Sequence, residues 1–197
     1  MIGAETLSKI TNWQDRSTCV LFGDAAGAAL LGPVAHGHGI LAYSLGNDGS
    51  NADALKIPAG GSRLPPSPDT IANRLHYLTM NGPEVFKFAV RALADSSEEV
   101  VRRAGLTMDH IEVVIPHQAN LRIIDAAAKR LHIPYHRFIH NLDRYGNTSA
   151  ASIPLALDEA ARQGRINPGD HVLLSSFGAG LSWGTMVLRW PSQTPAP

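Results

Sequence analysis

The sequence predicts an α/β fold built on a mixed sheet, and three observations predict it. Short apolar runs rich in strand formers alternate with longer segments of helical periodicity. The last two such runs follow one another across a glycine-rich turn, which makes them an antiparallel pair. Glycine or proline closes most of the segments.

Taken in order, residues 2–10 read as the end of a helix or the approach to one, followed by a polar turn over 12–17. Thr18-Cys19-Val20-Leu21-Phe22, closed by Gly23, suits a strand buried on both faces. Residues 24–31 are small and apolar, so backbones can approach closely there, and they run into a second strand that Gly32-Pro33 breaks. Residues 40–45 form the next strand. Residues 46–70 hold four glycines and four prolines and read as a loop, either functional or a tolerated surface insertion.

From Pro83 onward Val85, Phe86, Ala89, Val90, Leu93 and Ala94 recur at the spacing of one buried helical face, as far as Gly105. Residues 111–115 are a strand ended by Pro116. Asn120 opens a helix whose buried stripe is Leu121, Ile124, Ala127, Ala128 and Leu131, up to Pro134. Residues 138–142 read as a short strand and 152–163 as a helix closed by Gly164. Residues 172–176 and 185–190 are the final strands, on either side of a turn over 178–184.

Composition narrows the function classes. The chain has 197 residues, 44% hydrophobic and 17% charged, which excludes a disordered polymer. Seventeen basic and seventeen acidic side chains cancel, leaving no global field to attract nucleic acid or an anionic membrane. The single cysteine, Cys19, rules out an internal disulfide and fits a reducing compartment. Within an apolar strand it reads as a small buried residue. No apolar run approaches the ~20 residues that span a bilayer, and the N-terminus lacks a secretory pattern. The expectation is a cytoplasmic protein with neither nucleic-acid nor membrane partner.

Three polar segments fall just beyond expected strands, where an α/β sheet places its active site. They are Pro116-His117-Gln118-Ala119-Asn120, Gly146-Asn147-Thr148-Ser149 and Phe177-Gly178-Ala179-Gly180. Each has a structural reading when taken alone. A histidine after a strand is often a packed core residue, Gly-Asn-Thr-Ser is a turn with a helix cap, and Gly-Ala-Gly is a tight turn.

Together the segments resemble the β-ketoacyl-acyl-carrier-protein synthase III family. The resemblance rests on Pro-His117-Gln-Ala-Asn-Leu-Arg122-Ile, Gly-Asn147-Thr-Ser-Ala-Ala-Ser and Phe-Gly-Ala-Gly-Leu-Ser-Trp-Gly. Asp15-Arg16-Ser-Thr, Phe-Gly-Asp-Ala-Ala-Gly-Ala and Leu-Thr-Met-Asn-Gly82-Pro-Glu-Val-Phe86-Lys add to it, in the family's order. It implies a thiolase-like layered fold (αβαβα). In that fold residues 1–34 end the N-terminal half, 35–191 form the C-terminal half with a mixed sheet, and 192–197 are a tail.

The resemblance also implies an activity: decarboxylative condensation of acyl-CoA, acetyl-CoA in the first instance, with malonyl-acyl-carrier protein, initiating fatty acid synthesis. It needs no cofactor beyond the CoA and phosphopantetheine of its substrates. His117 and Asn147 would be two members of a Cys-His-Asn triad, two neutral donors for the enolate oxygen that decarboxylation creates. The family's cysteine belongs to a preceding segment, so the N-terminal half of the same enzyme is an expected partner, and the complete enzyme a homodimer. Ala179 matches the backbone donor of the oxyanion hole, where some members have glycine. Arg16 matches a residue near the CoA adenine; Gly82, Phe86, Ala119 and Asn120 match the pantetheine tunnel. Pro83 departs from the polar residue of relatives. Gln118, Ala119, Asn120, Leu121 and Arg122 match the carrier-protein docking point.

Other readings are weaker or stand as alternatives. His132, His136 and His140 are four apart, but Pro134 interrupts a helix that would align them, so no metal site is expected. Gly178-x-Gly180-x-x-x-Gly184 lacks the dinucleotide spacing. The alternatives for function are a non-catalytic fragment or subunit that binds acyl carrier protein, and a related polyketide or alkylquinolone starter enzyme.

Overall fold

The computed structural model describes residues 1–191. The tail expected over 192–197 lies outside the described residues. Strands β1 (Ile2–Thr6) and β2 (Asp24–Ala28) pair antiparallel as a ribbon of their own. Strand β3 (Gly39–Asn47) is followed by β4 (Leu55–Lys56), helix α1 (Pro68–Ala72) and β5 (Thr79–Met80), the last pairing with β4. The chain continues through α2 (Gly82–Arg103), β6 (Val113–Pro116), α3 (Leu121–Leu131), α4 (Leu142–Tyr145), α5 (Ser152–Arg162), β7 (His171–Gly178) and β8 (Ser182–Arg189).

The main sheet runs β3-β8-β7-β6, with β6 parallel to β7 and the other pairs antiparallel. It is the expected mixed sheet. Side chains alternate across its two faces. Val114, Leu173 and Val187 turn to one face and pack with Val100, Val101, Ile124 and Leu131 of α2 and α3. Val113, Ile115 and Val172 turn to the other and pack with Ala156 and Ala160 of α5.

Local chemistry explains the helix starts. The Asn81 side chain accepts from Glu84 N ahead of α2, and Pro83 sits in the first turn, where an absent N–H costs no bond. The Asn120 side chain caps α3 by accepting from Arg122 N at 2.8 Å. The β1–β2 ribbon lies on the start of α5 because its facing residues are glycine. A Cβ at Gly3 would stand 2.3 Å from the Ala150 carbonyl oxygen, and one at Gly27 3.0 Å from Pro154.

Several expectations need correction. Residues 2–6 are strand rather than helix. Residues 18–21 form turns, and Phe22 makes only an isolated bridge, to Asn147. Cys19 is therefore half-buried in a turn and not sealed in a strand. The strand expected over 138–142 is a single bridge at Phe138 followed by the turn of α4. The 46–70 loop contains a 3-10 helix at Gly49–Ala54 and β4, and it leads into α1. The turn between the last two strands is shorter than expected, residues 179–181. No helix among the described residues is long and apolar enough to cross a membrane.

Candidate active site

His117 stands one residue beyond β6. Its N–H donates to the Ser175 carbonyl at 2.7 Å, so the strand ladder holds its backbone against β7. The ring is nearly buried at 8% exposure. Nδ1 lies 2.8 Å from Ser152 Oγ, and the ring meets Phe177 edge to face with centroids 5.2 Å apart. Burial, with no carboxylate to hold a charge, pushes the imidazole pKa down to about 4. The ring is neutral at pH 7 and carries one N–H.

The next residue, Gln118, is fully buried. Its Oε1 accepts from Asn141 N at 2.6 Å and its Nε2 donates to the Ser152 carbonyl at 3.4 Å. The Gln118 side chain thus joins the two chain segments that flank Asn147 and cannot reach a docking protein.

Asn147 is held by the 21–23 segment. Its N–H donates to Leu21 O at 2.8 Å, and its carbonyl accepts from Gly23 N at 2.9 Å. That approach requires glycine, since a Cβ at Gly23 would stand 2.0 Å from the Tyr145 carbonyl oxygen. The Asn147 Oδ1 accepts from Ser149 N at 2.9 Å, closing a tight turn in which Ser149 takes φ +48. With the oxygen committed, the amide NH2 is the end free to donate.

The 3-10 turn Ser149–Ala151 then leads into α5, whose first residue is Ser152. His117 and Asn147 therefore attach to opposite ends of one short segment, 147–152. Phe177 lies two residues before Ala179, so the Ala179 turn begins beside the His117 ring. The Ala179 carbonyl accepts from Ser182 Oγ at 2.8 Å, while its N–H has no acceptor among the described residues.

The remaining expected residues fall into four places. Phe86 and Ala119 pack around the cluster containing Val85, Phe177 and Leu181, next to the His117 ring. Gly82 opens α2, with nothing closer to its Cβ position than Met80 Cε at 4.0 Å. Asn120, Leu121 and Arg122 are exposed together at the start of α3. Arg16 is exposed in a turn folded by Asp15, whose carboxylate accepts from Ser17 N, Ser17 Oγ and Thr18 Oγ1. No hydrogen bond among the described residues joins Arg16, or the Cys19 thiol, to His117 or Asn147. No group of three or more His, Cys, Asp or Glu among the described residues could hold a metal ion.

Sequence reasoning passed over Ser152, which touches the histidine. Its position at a helix start, in the same Gly-Asn-Thr-Ser-Ala-Ala-Ser run as Asn147, was the available signal.

The family model described as 3-oxoacyl-[acyl-carrier-protein (ACP)] synthase III C terminal matches residues 101–190. The model described as 3-oxoacyl-[ACP] synthase III matches residues 1–49. The chain is 60% identical over 190 residues to a β-ketoacyl-[acyl-carrier-protein] synthase III of Symbiobacterium thermophilum, covering 96% of this chain and 58% of that protein. The synthase III structure from Thermus thermophilus superposes with a TM-score of 0.87 at 53% identity, over 96% of this chain and 58% of that one. A priming β-ketosynthase of the R1128 polyketide pathway superposes with a TM-score of 0.85 at 34% identity, over 98% and 57%. The chain thus spans less than two thirds of the length of the relatives it matches.

Proposed function

Because the chain belongs to the 3-oxoacyl-[acyl-carrier-protein] synthase III family, we propose that it carries the decarboxylating half of a condensing-enzyme active site. In this reading the enzyme transfers an acyl group from acyl-CoA, acetyl-CoA in the first instance, to a cysteine thiolate and releases CoA. Malonyl-acyl-carrier protein then loses carbon dioxide. The enolate left behind attacks the acyl thioester, forming 3-ketoacyl-carrier protein and freeing the cysteine.

One observation carries the reading: two neutral side chains each have one end committed, which leaves His117 Nε2 and the Asn147 NH2 without a partner among the described residues and open to a substrate oxygen. Neutral His117 has Nδ1 on Ser152, and Asn147 has Oδ1 on Ser149 N. Such a pair stabilises an enolate oxygen without surrendering a proton that would quench the carbanion. The Ala179 N–H would receive the oxyanion formed when the acyl thioester is attacked. Phe86, Ala119, Gly82 and Asn120 would line the path of the pantetheine, and Arg16 would meet the CoA nucleotide. Carrier protein, which is acidic, would be steered to the exposed Arg122 beside Asn120 and Leu121.

The nucleophile in this reading is a cysteine of the N-terminal half, since Cys19 lies in its own turn without a bond to either donor. The likeness to a priming polyketide synthase supports a second substrate reading, in which the product starts a polyketide chain.

The test measures acyl transfer and carbon dioxide release side by side. Alone with acetyl-CoA and malonyl-carrier protein, the chain is expected to give no condensation product. Supplied with a cysteine-bearing N-terminal half, it turns over. His117→Ala or Asn147→Ala then abolishes carbon dioxide release while leaving acylation of the cysteine largely intact. Condensation by the chain alone, or decarboxylation that survives both substitutions, overturns the proposal. Carrier-protein binding with no reaction in any combination favours the non-catalytic alternative.

A further inference from the structure

Ser152 is 1% exposed, and its one side-chain hydrogen bond among the described residues is to His117 Nδ1, at 2.8 Å. Two arrangements fit that distance: either the ring donates to the hydroxyl, or the hydroxyl donates to the ring. They differ in what they leave unmet. If the ring donates, the buried hydroxyl hydrogen has no acceptor, a loss of ~1–3 kcal/mol. If the hydroxyl donates, its hydrogen and the Nδ1 lone pair satisfy one another, and only hydroxyl lone pairs go unused. The second arrangement is the more stable.

It also decides the tautomer. A neutral imidazole that accepts at Nδ1 carries its proton on Nε2. Among the described residues Nε2 makes no hydrogen bond, yet it is not among the sealed, unpartnered polar atoms, so it opens onto the surface of the site. Resting on the reading of His117 as an enolate donor, we propose that Ser152 is a positioning residue that fixes His117 as the Nε2–H tautomer and aims that N–H into the site.

The surrounding bonds support a rigid relay. Ser152 is the first residue of α5, and its side chain makes no capping bond to the helix, so it is free for the ring. The Ser152 carbonyl accepts from Gln118 Nε2, while His117 N–H is bonded to Ser175 O at 2.7 Å. The ring and the hydroxyl are thus each anchored by backbone on separate elements. Phe177 packs edge to face against the ring.

The first experiment needs no partner and no turnover. The full chain, labelled with nitrogen-15 at histidine, is examined by long-range correlation NMR at neutral pH. His117 is expected as a single tautomer protonated on Nε2, and Ser152→Ala is expected to show mixed tautomers. A wild-type ring protonated on Nδ1 overturns the assignment, as does a Ser152→Ala spectrum unchanged from wild type.

The second experiment uses the reconstituted two-part enzyme. Ser152→Ala should lower the rate of carbon dioxide release about tenfold, the worth of one hydrogen bond. KM and acylation of the cysteine should be unchanged, and Ser152→Thr, which keeps the hydroxyl, should restore part of the rate. A Ser152→Ala enzyme at full decarboxylation rate sinks the positioning role. If His117→Ala also leaves that rate untouched, it is the enolate-donor reading that has failed, whatever tautomer the NMR finds.

Discussion

One face of the main sheet has two ends that behave oppositely. At the β6–β7 end, Ile115 and Val172 are fully buried beneath α5. At the β3–β8 end, Tyr43 and Leu45 stand on the same face, paired in register through Met186 and Gly184 to Leu174 and Ser176, and they are 61% and 76% exposed. The sequence pattern at the two ends is similar, an apolar run on each strand: Val113-Val114-Ile115 and Val172-Leu173-Leu174 at one, Ile40-Leu41-Ala42-Tyr43 at the other. The difference lies in what covers them: the cluster under α5 takes in Val113, Ile115 and Val172 of β6 and β7, with Leu188 of β8 packed against it, and no residue of β3. An apolar run therefore reports which side chains want cover, and the helix connections decide which of them get it.

The largest expected effect breaks the comparison open at the covered end. Ile115→Ala removes three carbons from a fully buried position against Ala156 and Ala160. It should lower unfolding free energy by roughly 2–5 kcal/mol. Urea denaturation at constant slope would measure this, and a loss below ~1 kcal/mol would mean that the α5 side is loosely packed.

Acid sharpens the same contrast, because His117 belongs to the covered end. Unfolded, its imidazole has the ordinary pKa of 6.5; folded, burial pushes it to about 4. Between those values the unfolded chain binds more protons, so stability rises with pH and is fully present above about 6.5. It is lost progressively as pH falls toward 4, by roughly 3 kcal/mol in all. The measurement is the difference in slope between wild type and His117→Gln from pH 6.5 to 4.5, above the range where hydrogen-bonded carboxylates such as Asp15 and Asp24 titrate. Identical slopes would mean that the ring is solvated when protonated.

A third effect, on the order of 2 kcal/mol, is expected where the N-terminal segments lean on the site. Gly23→Ala should cost this much through the clash with the Tyr145 carbonyl, and it should loosen the Phe22–Asn147 bridge. Gly61→Ala, at a position with open space around it, is the control and should be near neutral in thermal unfolding.

How much of this was legible follows the same logic of cover. Residues 113–116 and 171–178 read correctly as strands because their β-branched and leucine runs pair with one another and are covered by helices on both faces. The periodic stripes of α2 and α3 read correctly where tertiary packing agrees with the local pattern. Leu121, expected in the buried stripe of α3, is instead 40% exposed, because the first residue of α3 lies beyond that packing. Residues 18–22 and 138–142 misled, since each is an apolar run that packs as turns and makes a single bridge to a distant residue. Strand β1 was invisible because it is short and carries glycine at position 3, where the backbone comes too close to Ala150 for a side chain, in place of a strand-forming residue. At the site, His117 and Asn147 emerged only when three modest motifs were read together as a family pattern. Ser152 stayed hidden, because a serine at a helix start reads as a cap. Its turn toward the imidazole comes from tertiary packing that joins residues 35 apart.

The smallest expected effect tests the bare end. Tyr43 and Leu45 lose little water-exposed area on folding, so Tyr43→Ser with Leu45→Ser should change unfolding free energy by less than ~0.5 kcal/mol per site. Their effect should appear in association instead. Exposed apolar side chains side by side on a sheet surface favour contact with another apolar surface. Ile40, 51% exposed and aligned through Leu188, extends the same strip. Sedimentation velocity across a concentration series is expected to show self-association of the wild-type chain that the double substitution reduces. Binding of a cysteine-bearing N-terminal half, measured in parallel, should weaken if that half covers this strip. Were the double variant instead to lose several kcal/mol as an isolated monomer, Tyr43 and Leu45 would be core residues. The contrast between the two ends of the sheet would then be false.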